Sequence, residues 1–356
     1  MNPLAVRVAM LCLGVAACQP LPEIEYETDN LRLATDFDAP VCAGTLRMLD
    51  RAAGRISASL DPADAGERYV VFWLEHELPD QCDDDATGCF YPGTRVVFAH
   101  GESIAHELVH ATLDSPGESF FVEEGLAELF GGTPVRYDSS RLRGKLASQL
   151  ALSRRAYDHG ALSYSQAAHF AHWLRDAEGA GAVLRLGAGL SRGGRSVRDD
   201  LQSIFGTSLR GIEQSYEREA PRLYRGLYDD DLETLRLEGQ SQWLELSLGC
   251  DDDDVIGPLH GAEEGMARVL RLEVPVGRTT RLRMDGPPGS WVELRNPYAS
   301  DVRYMPPWWP ARDSNGRLAR IGSGELVSLW LDRGVYQLIV ATTGTAPAQV
   351  DLQLLP

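Results

Sequence analysis

His106-Glu107-Leu108-Val109-His110 is the stretch on which the reading of this chain turns, and a second acidic run, Glu123-Glu124-Gly125-Leu126-Ala127-Glu128, follows it. Positions i and i+4 of a helix stand one above the other on one face, so both imidazoles can reach a single metal ion. Glu107 is rotated beside them, where its carboxylate can take a proton from a water rather than ligate. Ser103-Ile104-Ala105 before the motif, the apolar stripe of Leu108, Val109 and Leu113, and the stop Asp114-Ser115-Pro116-Gly117 predict a helix from about 102 to 113. Just before it, Thr94-Arg95-Val96-Val97-Phe98-Ala99, between Pro92-Gly93 and Gly101, predicts a strand.

A catalytic zinc usually has three protein ligands and one open position. Phe121-Val122-Glu123-Glu124-Gly125-Leu126-Ala127 resembles the W-L-x-E-G-L-A pattern of the gluzincin metallopeptidases, with similar apolar residues in place of the Trp and Leu. The resemblance implies Glu124 as third ligand beside His106 and His110, and Zn2+ as cofactor. It also implies peptide-bond hydrolysis with Glu107 as general base. Glu128, one turn beyond Glu124, is implied to hydrogen-bond a ligand histidine, most directly His106; the alternative is a solvated helix face. Glu123 reads as solvated.

Tyr164-Ser165-Gln166-Ala167-Ala168-His169-Phe170-Ala171-His172-Trp173-Leu174 resembles the Y-x-x-A-x-x-F-x-x-x-L helix of related bacterial gluzincin-like proteins. That makes Tyr164 a candidate donor to the oxyanion of the tetrahedral intermediate, against the alternative of a buried aromatic at a helix start. His169 and His172 read as ordinary helix residues. The fold implied is α+β, with a small sheet and metal helix, then an all-α lobe, and the cleft between them. In that family the last strand before the metal helix is an edge that pairs with an extended peptide. Val96, Val97, Phe98 and Ala99 are therefore expected to bind substrate.

The remaining pattern fits this scheme. Leu31 to Asp36 and Tyr69 to Glu75 read as strands, and Ala43 to Ser59 as an amphipathic helix. Apolar spacing of three or four predicts helices over 142–152, 165–173, 180–190, 197–204 and 209–216. Beyond about residue 230 the texture turns to alternation, in 243–248, 269–274, 280–284, 291–294, 326–331, 335–341 and 350–354, which predicts a β-sandwich. Its Leu331-Asp332-Arg333-Gly334-Val335-Tyr336 segment weakly resembles the jelly-roll domains appended to bacterial secreted peptidases. The expected division is 1–17 signal, 18–30 linker, 31–228 metallopeptidase domain and 229–356 sandwich.

Arg7 and the apolar run from Val8 to Ala17, too short to span a bilayer, end in Val15-Ala16-Ala17-Cys18. This resembles a bacterial lipoprotein signal with Cys18 as the acylated residue, and Gln19 favours the outer membrane. The alternative is an ordinary secretory signal with a coincidental cysteine. Cys42, Cys82, Cys89 and Cys250 remain, and four cysteines in an oxidising compartment suggest two disulfides. Of the three possible pairings, Cys82 with Cys89 is easiest because they bracket a short acidic loop, leaving Cys42 with Cys250. No C-x-x-C zinc spacing occurs among them.

The net charge of −18 argues against nucleic acid as partner and against adhesion to anionic lipid other than through an acyl anchor. Length and a hydrophobic content of 44% allow about two well-formed domains. The acidic clusters Asp229–Asp231 and Asp251–Asp254 lack the spaced oxygens of an EF-hand and read as solvated loops. Pro306-Pro307-Trp308-Trp309-Pro310 reads as a rigid packed loop, or else as a contact for carbohydrate or protein. The expected partner is a peptide or protein substrate. A reading from another class is a silent lipoprotein of the same fold that serves as a binding or scaffold module.

Overall fold

The computed structural model describes residues 21–355 apart from 62–65, 76, 81, 83–85, 115–118, 133–134, 137–144, 152–162, 193–195, 229–230, 260–264 and 297–316. The expectations for residues 1–17, Cys18, Asp229, Asp230 and the Trp308-Trp309 stretch therefore lie outside the described residues. Among those described, no helix is long and apolar enough to cross a membrane.

The architecture is mixed α+β. Five strands, β1 (Tyr26–Glu27), β2 (Leu31–Thr35), β3 (Tyr69–Trp73), β4 (Gly88–Tyr91) and β5 (Val96–Ala99), form one sheet in the order β1-β2-β3-β5-β4. β2, β3 and β5 run parallel, while β4 closes the far edge antiparallel to β5. Helix α1 (Ala43–Leu60) connects β2 to β3. A single 3-10 turn, Gly101–Ser103, leads from β5 into α2 (Ile104–Leu113), and α3 (Phe120–Gly131) follows. The apolar stripe of α1, with Leu49, Ala53, Ile56 and Leu60, shares one core with Leu33, Val71 and Val97 of the sheet and Leu108 and Val109 of α2. The motif helix is thus held by burial on its apolar side, leaving its other face to carry the imidazoles.

One expectation is corrected by the sheet order. β5 is an interior strand, flanked by β3 and β4, with Val97, Phe98 and Ala99 buried. Both sides of its ladder are occupied, so Val96, Val97, Phe98 and Ala99 cannot add a peptide strand. The free edge belongs to β4.

The helical lobe comprises β6 (Val135–Arg136), α4 (Leu146–Gln149), α5 (Tyr164–Glu178), α6 (Ala180–Arg192), α7 (Val197–Phe205) and α8 (Leu209–Glu219), closed by β7 (Leu223–Tyr224), which pairs with β6. Of the helix expected over 142–152, Leu146–Gln149 is helical among the described residues. Ser163, Ser196 and Ser208 cap α5, α7 and α8, each accepting the amide of the residue three positions on. Each serine thereby satisfies an amide left orphaned by its helix start.

Ten further strands follow: β8 (Thr234–Arg236), β9 (Gln242–Leu248), β10 (Val255–Leu259), β11 (Gly265–Val274), β12 (Arg278–Asp285), β13 (Trp291–Arg295), β14 (Arg317–Gly322), β15 (Leu326–Leu331), β16 (Gly334–Thr343) and β17 (Ala348–Leu355). One sheet runs β10-β11-β16-β13-β14, with β8 beside β11, and the other β15-β12-β17-β9. The alternation read from the sequence makes a two-layered β-sandwich. Leu246, Leu282, Met284, Val350 and Leu352 from one sheet meet Leu270, Leu272, Val292, Leu338 and Val340 from the other in a common core.

Both expected disulfides are present, Cys82–Cys89 and Cys42–Cys250. The second fastens the start of α1 to the sandwich. Around it the Cys42 amide donates to Gly257 O and the Ala43 amide to Cys250 O, while the Thr45 hydroxyl both donates to and accepts from the Gly257 backbone. Gly44 is required there, because a β-carbon would lie 2.4 Å from the Val255 carbonyl oxygen. The acidic clusters are not simply solvated, as Asp253 pairs with Arg47, Asp231 with Arg55 and Asp254 with Arg268. These exposed pairs orient the contact more than they stabilise it.

Candidate metal centre

His106 and His110 stand one turn apart on α2, and Glu124 reaches them from α3, which packs against α2. Glu124 Oε2 lies 3.2 Å from His106 Nε2, Glu124 Oε1 3.3 Å from His110 Nε2, and the two Nε2 atoms 3.1 Å apart. With ligand bonds of about 2.0–2.1 Å, two corners of a tetrahedral zinc site are separated by about 3.3 Å. The three donors therefore already outline one face of such a tetrahedron. Among the described residues this is the one group of three such side chains close enough to hold an ion.

The donor set fits a cation in other respects. Glu124 is buried at 3% exposure, and its Oε2 accepts no hydrogen bond. A buried carboxylate oxygen with no donor is costly unless a cation faces it. Glu128 Oε1 stands 3.3 Å from His106 Nδ1. That contact favours the Nδ1–H tautomer of His106 and leaves the Nε2 lone pair directed at the centre.

Burial disfavours a charged His106, but the carboxylates of Glu124 and Glu128 beside it outweigh that and raise its pKa well above the ordinary histidine value. His110 is raised in the same way, with Glu124 outweighing burial. Burial likewise opposes ionisation of Glu124, yet the two imidazoles hold it far below the usual carboxylate range. The negative potential that favours protonated imidazoles here would equally favour a divalent cation between them.

Glu107 is buried on the same helix, and its carboxylate is backed by the edge strand. A β-carbon at Gly88 would fall 2.6 Å from Glu107 Cγ. Phe90, two residues along β4 and so on the same face, stacks on His110 with ring centroids 6.2 Å apart and planes 12° from parallel. Neither residue stands out in the sequence, where Thr87-Gly88-Cys89 reads as a turn beside an acidic loop. The signal that could have found them is the alternation of Gly88 and Phe90 against Cys89 and Tyr91.

Gly125 is the second such contact. A β-carbon there would lie 2.6 Å from the Ala167 carbonyl oxygen, so α3 and α5 touch backbone to backbone beside Glu124. Tyr164 lies one turn before Ala167 on that face of α5 and is half-buried against the core. Glu123, expected to be solvated, is 5% exposed, because α3 is covered on every side. His169 and His172 belong to the interior. The His169 ring joins Tyr216 OH through Nδ1 at 2.8 Å and Pro221 O through Nε2 at 2.9 Å, while His172 stacks on Tyr224.

No family model matches the chain, and no curated protein matches it. Among solved structures, the chain is similar to the pre-peptidase C-terminal domain of collagenase from Bacillus anthracis, at 13% identity and a TM-score of 0.23, over 35% of this chain and 95% of that one. It is also similar to PliG, a periplasmic inhibitor of g-type lysozyme. The Aeromonas hydrophila protein gives 10% identity and a TM-score of 0.22, over 35% of this chain and 95% of that one. The Salmonella Typhimurium protein gives 16% identity and a TM-score of 0.19, over 35% and 97%. Likeness at this level carries no functional argument.

Proposed function

We propose that the chain is a zinc-dependent metallopeptidase with a zincin-like catalytic domain of the gluzincin kind. The observation that carries the reading is the triangle of His106 Nε2, His110 Nε2 and Glu124, with edges of 3.1–3.3 Å. His106, His110 and Glu124 would hold the ion. Zinc bound there supplies a Lewis acid that brings the pKa of a coordinated water down to about 7 and polarises a carbonyl.

The rest of the chemistry belongs to the chain. Glu107, buried beside the ligands, accepts the proton of the attacking water and passes it to the departing amine, which needs one carboxylate in two successive protonation states. Glu128 keeps His106 in the ligating tautomer. Tyr164, at the head of α5, is the proposed donor to the developing oxyanion. The outer edge of β4 beside Glu107, which pairs with no strand among the described residues, is the proposed rail for an extended peptide. Two disulfides suit an oxidising compartment, which supports export, with anchorage by an acyl chain on Cys18 as part of the proposal.

Metal analysis of the purified chain, with cleavage profiling on a broad peptide library beside Glu107→Gln, tests the reading. The expected result is about one zinc per chain in both proteins and turnover in the wild type alone. Stoichiometric zinc without cleavage of any peptide would replace the peptidase with a silent binding module.

A further inference from the structure

We infer that the Cys82–Cys89 disulfide is a positioning element for Glu107, acting through the edge strand β4. The strand has two faces. On the front, Gly88 meets the Glu107 side chain and Phe90 stacks on His110. On the back, Cys89 turns away from the metal helix into a separate apolar cluster with Ala34, Val70, Phe72, Leu74, Phe98 and Cys82. Its bond to Cys82, itself buried at 8% exposure, ties the strand to that cluster from behind.

The tie matters because β4 is short and one-sided. Its four residues pair with β5, and among the described residues no strand pairs with its outer edge. A short strand held by a single ladder is the kind of segment that opens locally. Two hydrogen bonds hold its leading end, the His100 amide on Thr87 O and the Ser103 hydroxyl on Thr87 Oγ1, but neither reaches the back of the strand at Cys89. The disulfide does so, and with it the wall against which Glu107 is packed. Glu107 has no room to retreat while Gly88 is in register, so its carboxylate is held forward.

The inference rests on the proposed role of Glu107, and its test therefore uses a readout that needs no turnover. The full chain is loaded with cobalt(II) in four forms: wild type, Glu107→Gln, Cys82→Ser/Cys89→Ser and Gly88→Ala. Glu107→Gln sets how far the cobalt absorption bands move when the neighbouring carboxylate is altered. We expect the disulfide variant and Gly88→Ala to bind cobalt, to shift the bands in the same direction, and to lose about 10–100-fold in kcat with a smaller change in KM. A disulfide-variant spectrum that superimposes on the wild type would overturn the inference, whatever Gly88→Ala does. Should the disulfide variant fail to fold, reduction of the folded, cobalt-loaded wild type with a non-thiol reductant decides in its place, and Gly88→Ala shows separately that displacing Glu107 moves the bands. If the wild type cleaves no peptide, the peptidase reading fails, and the cobalt spectra still decide this one.

Discussion

Glu128 Oε1 and His106 Nδ1 stand 3.3 Å apart, on two different helices, while Nε2 of the same ring faces Glu124 and His110. The carboxylate thus fixes which nitrogen carries the proton without touching the centre itself. Replacing Glu128 with Ala should weaken zinc binding about 10–100-fold while leaving the three ligands in place. Competition with a chromophoric chelator measures this, and an unchanged affinity would reduce Glu128 to a bystander.

Gly125→Ala probes the joint between the ligand helix and α5. The added carbon would meet a backbone oxygen at 2.6 Å, which no rotamer change relieves, so the helices must part. Destabilisation of about 1–3 kcal/mol is expected, as for overpacked cores. A lower zinc content should accompany it, because Glu124 is the adjoining residue. Denaturant midpoints and metal content on the same sample check both halves.

The Cys42–Cys250 bond spans a sequence separation of 208 residues, so it removes much freedom from the unfolded chain. Cys42→Ser/Cys250→Ser should cost about 2–5 kcal/mol in equilibrium unfolding. Because the Thr45–Gly257 hydrogen bonds survive, zinc affinity should stay within about threefold of wild type. A large loss of zinc would mean that the bond acts on the centre directly.

Burial, against a weaker opposing effect of the Pro221 carbonyl, lowers the His169 pKa from 6.5 to about 4. Below the unfolded value the unfolded chain takes up a proton that the folded one refuses. The contribution of neutral His169 is therefore complete above pH 6.5, falls as the pH drops, and levels off near 4. The swing is on the order of 3 kcal/mol. His169→Gln should flatten the stability difference between pH 7.5 and pH 4.5 by about that amount, measured by urea unfolding. Parallel pH slopes for the two proteins would contradict it.

Local pattern carried most of this molecule. The i, i+4 imidazoles, the E-G-L-A run and the alternation after residue 230 each depend on short-range periodicity, and the helices and sandwich strands follow it closely. What failed was long-range. Nothing in Thr94 to Ala99 says that β4, earlier in the chain, folds back to cover it, so its local pattern reads as an edge strand although the fold makes it an interior one. Gly88-Cys89-Phe90-Tyr91 adjoins the acidic loop bracketed by Cys82 and Cys89 and shows no strand of its own in the local pattern, because its pairing with β5 is a tertiary contact. Likewise Glu123 is buried by a helix-on-helix contact that its own neighbours do not announce. The importance of Gly88 and Gly125 depends on what faces them, which is visible only once distant segments meet.

Cys42 belongs by sequence to the first lobe, yet its side chain is packed inside the sandwich core with Leu248, Val255 and Met266. The seam between the halves is consequently not where the chain's texture changes. A graft of the sandwich onto another protein would need to bring the opening turn of α1 with it, or else leave a hole in its interior and bare peptide groups along β10.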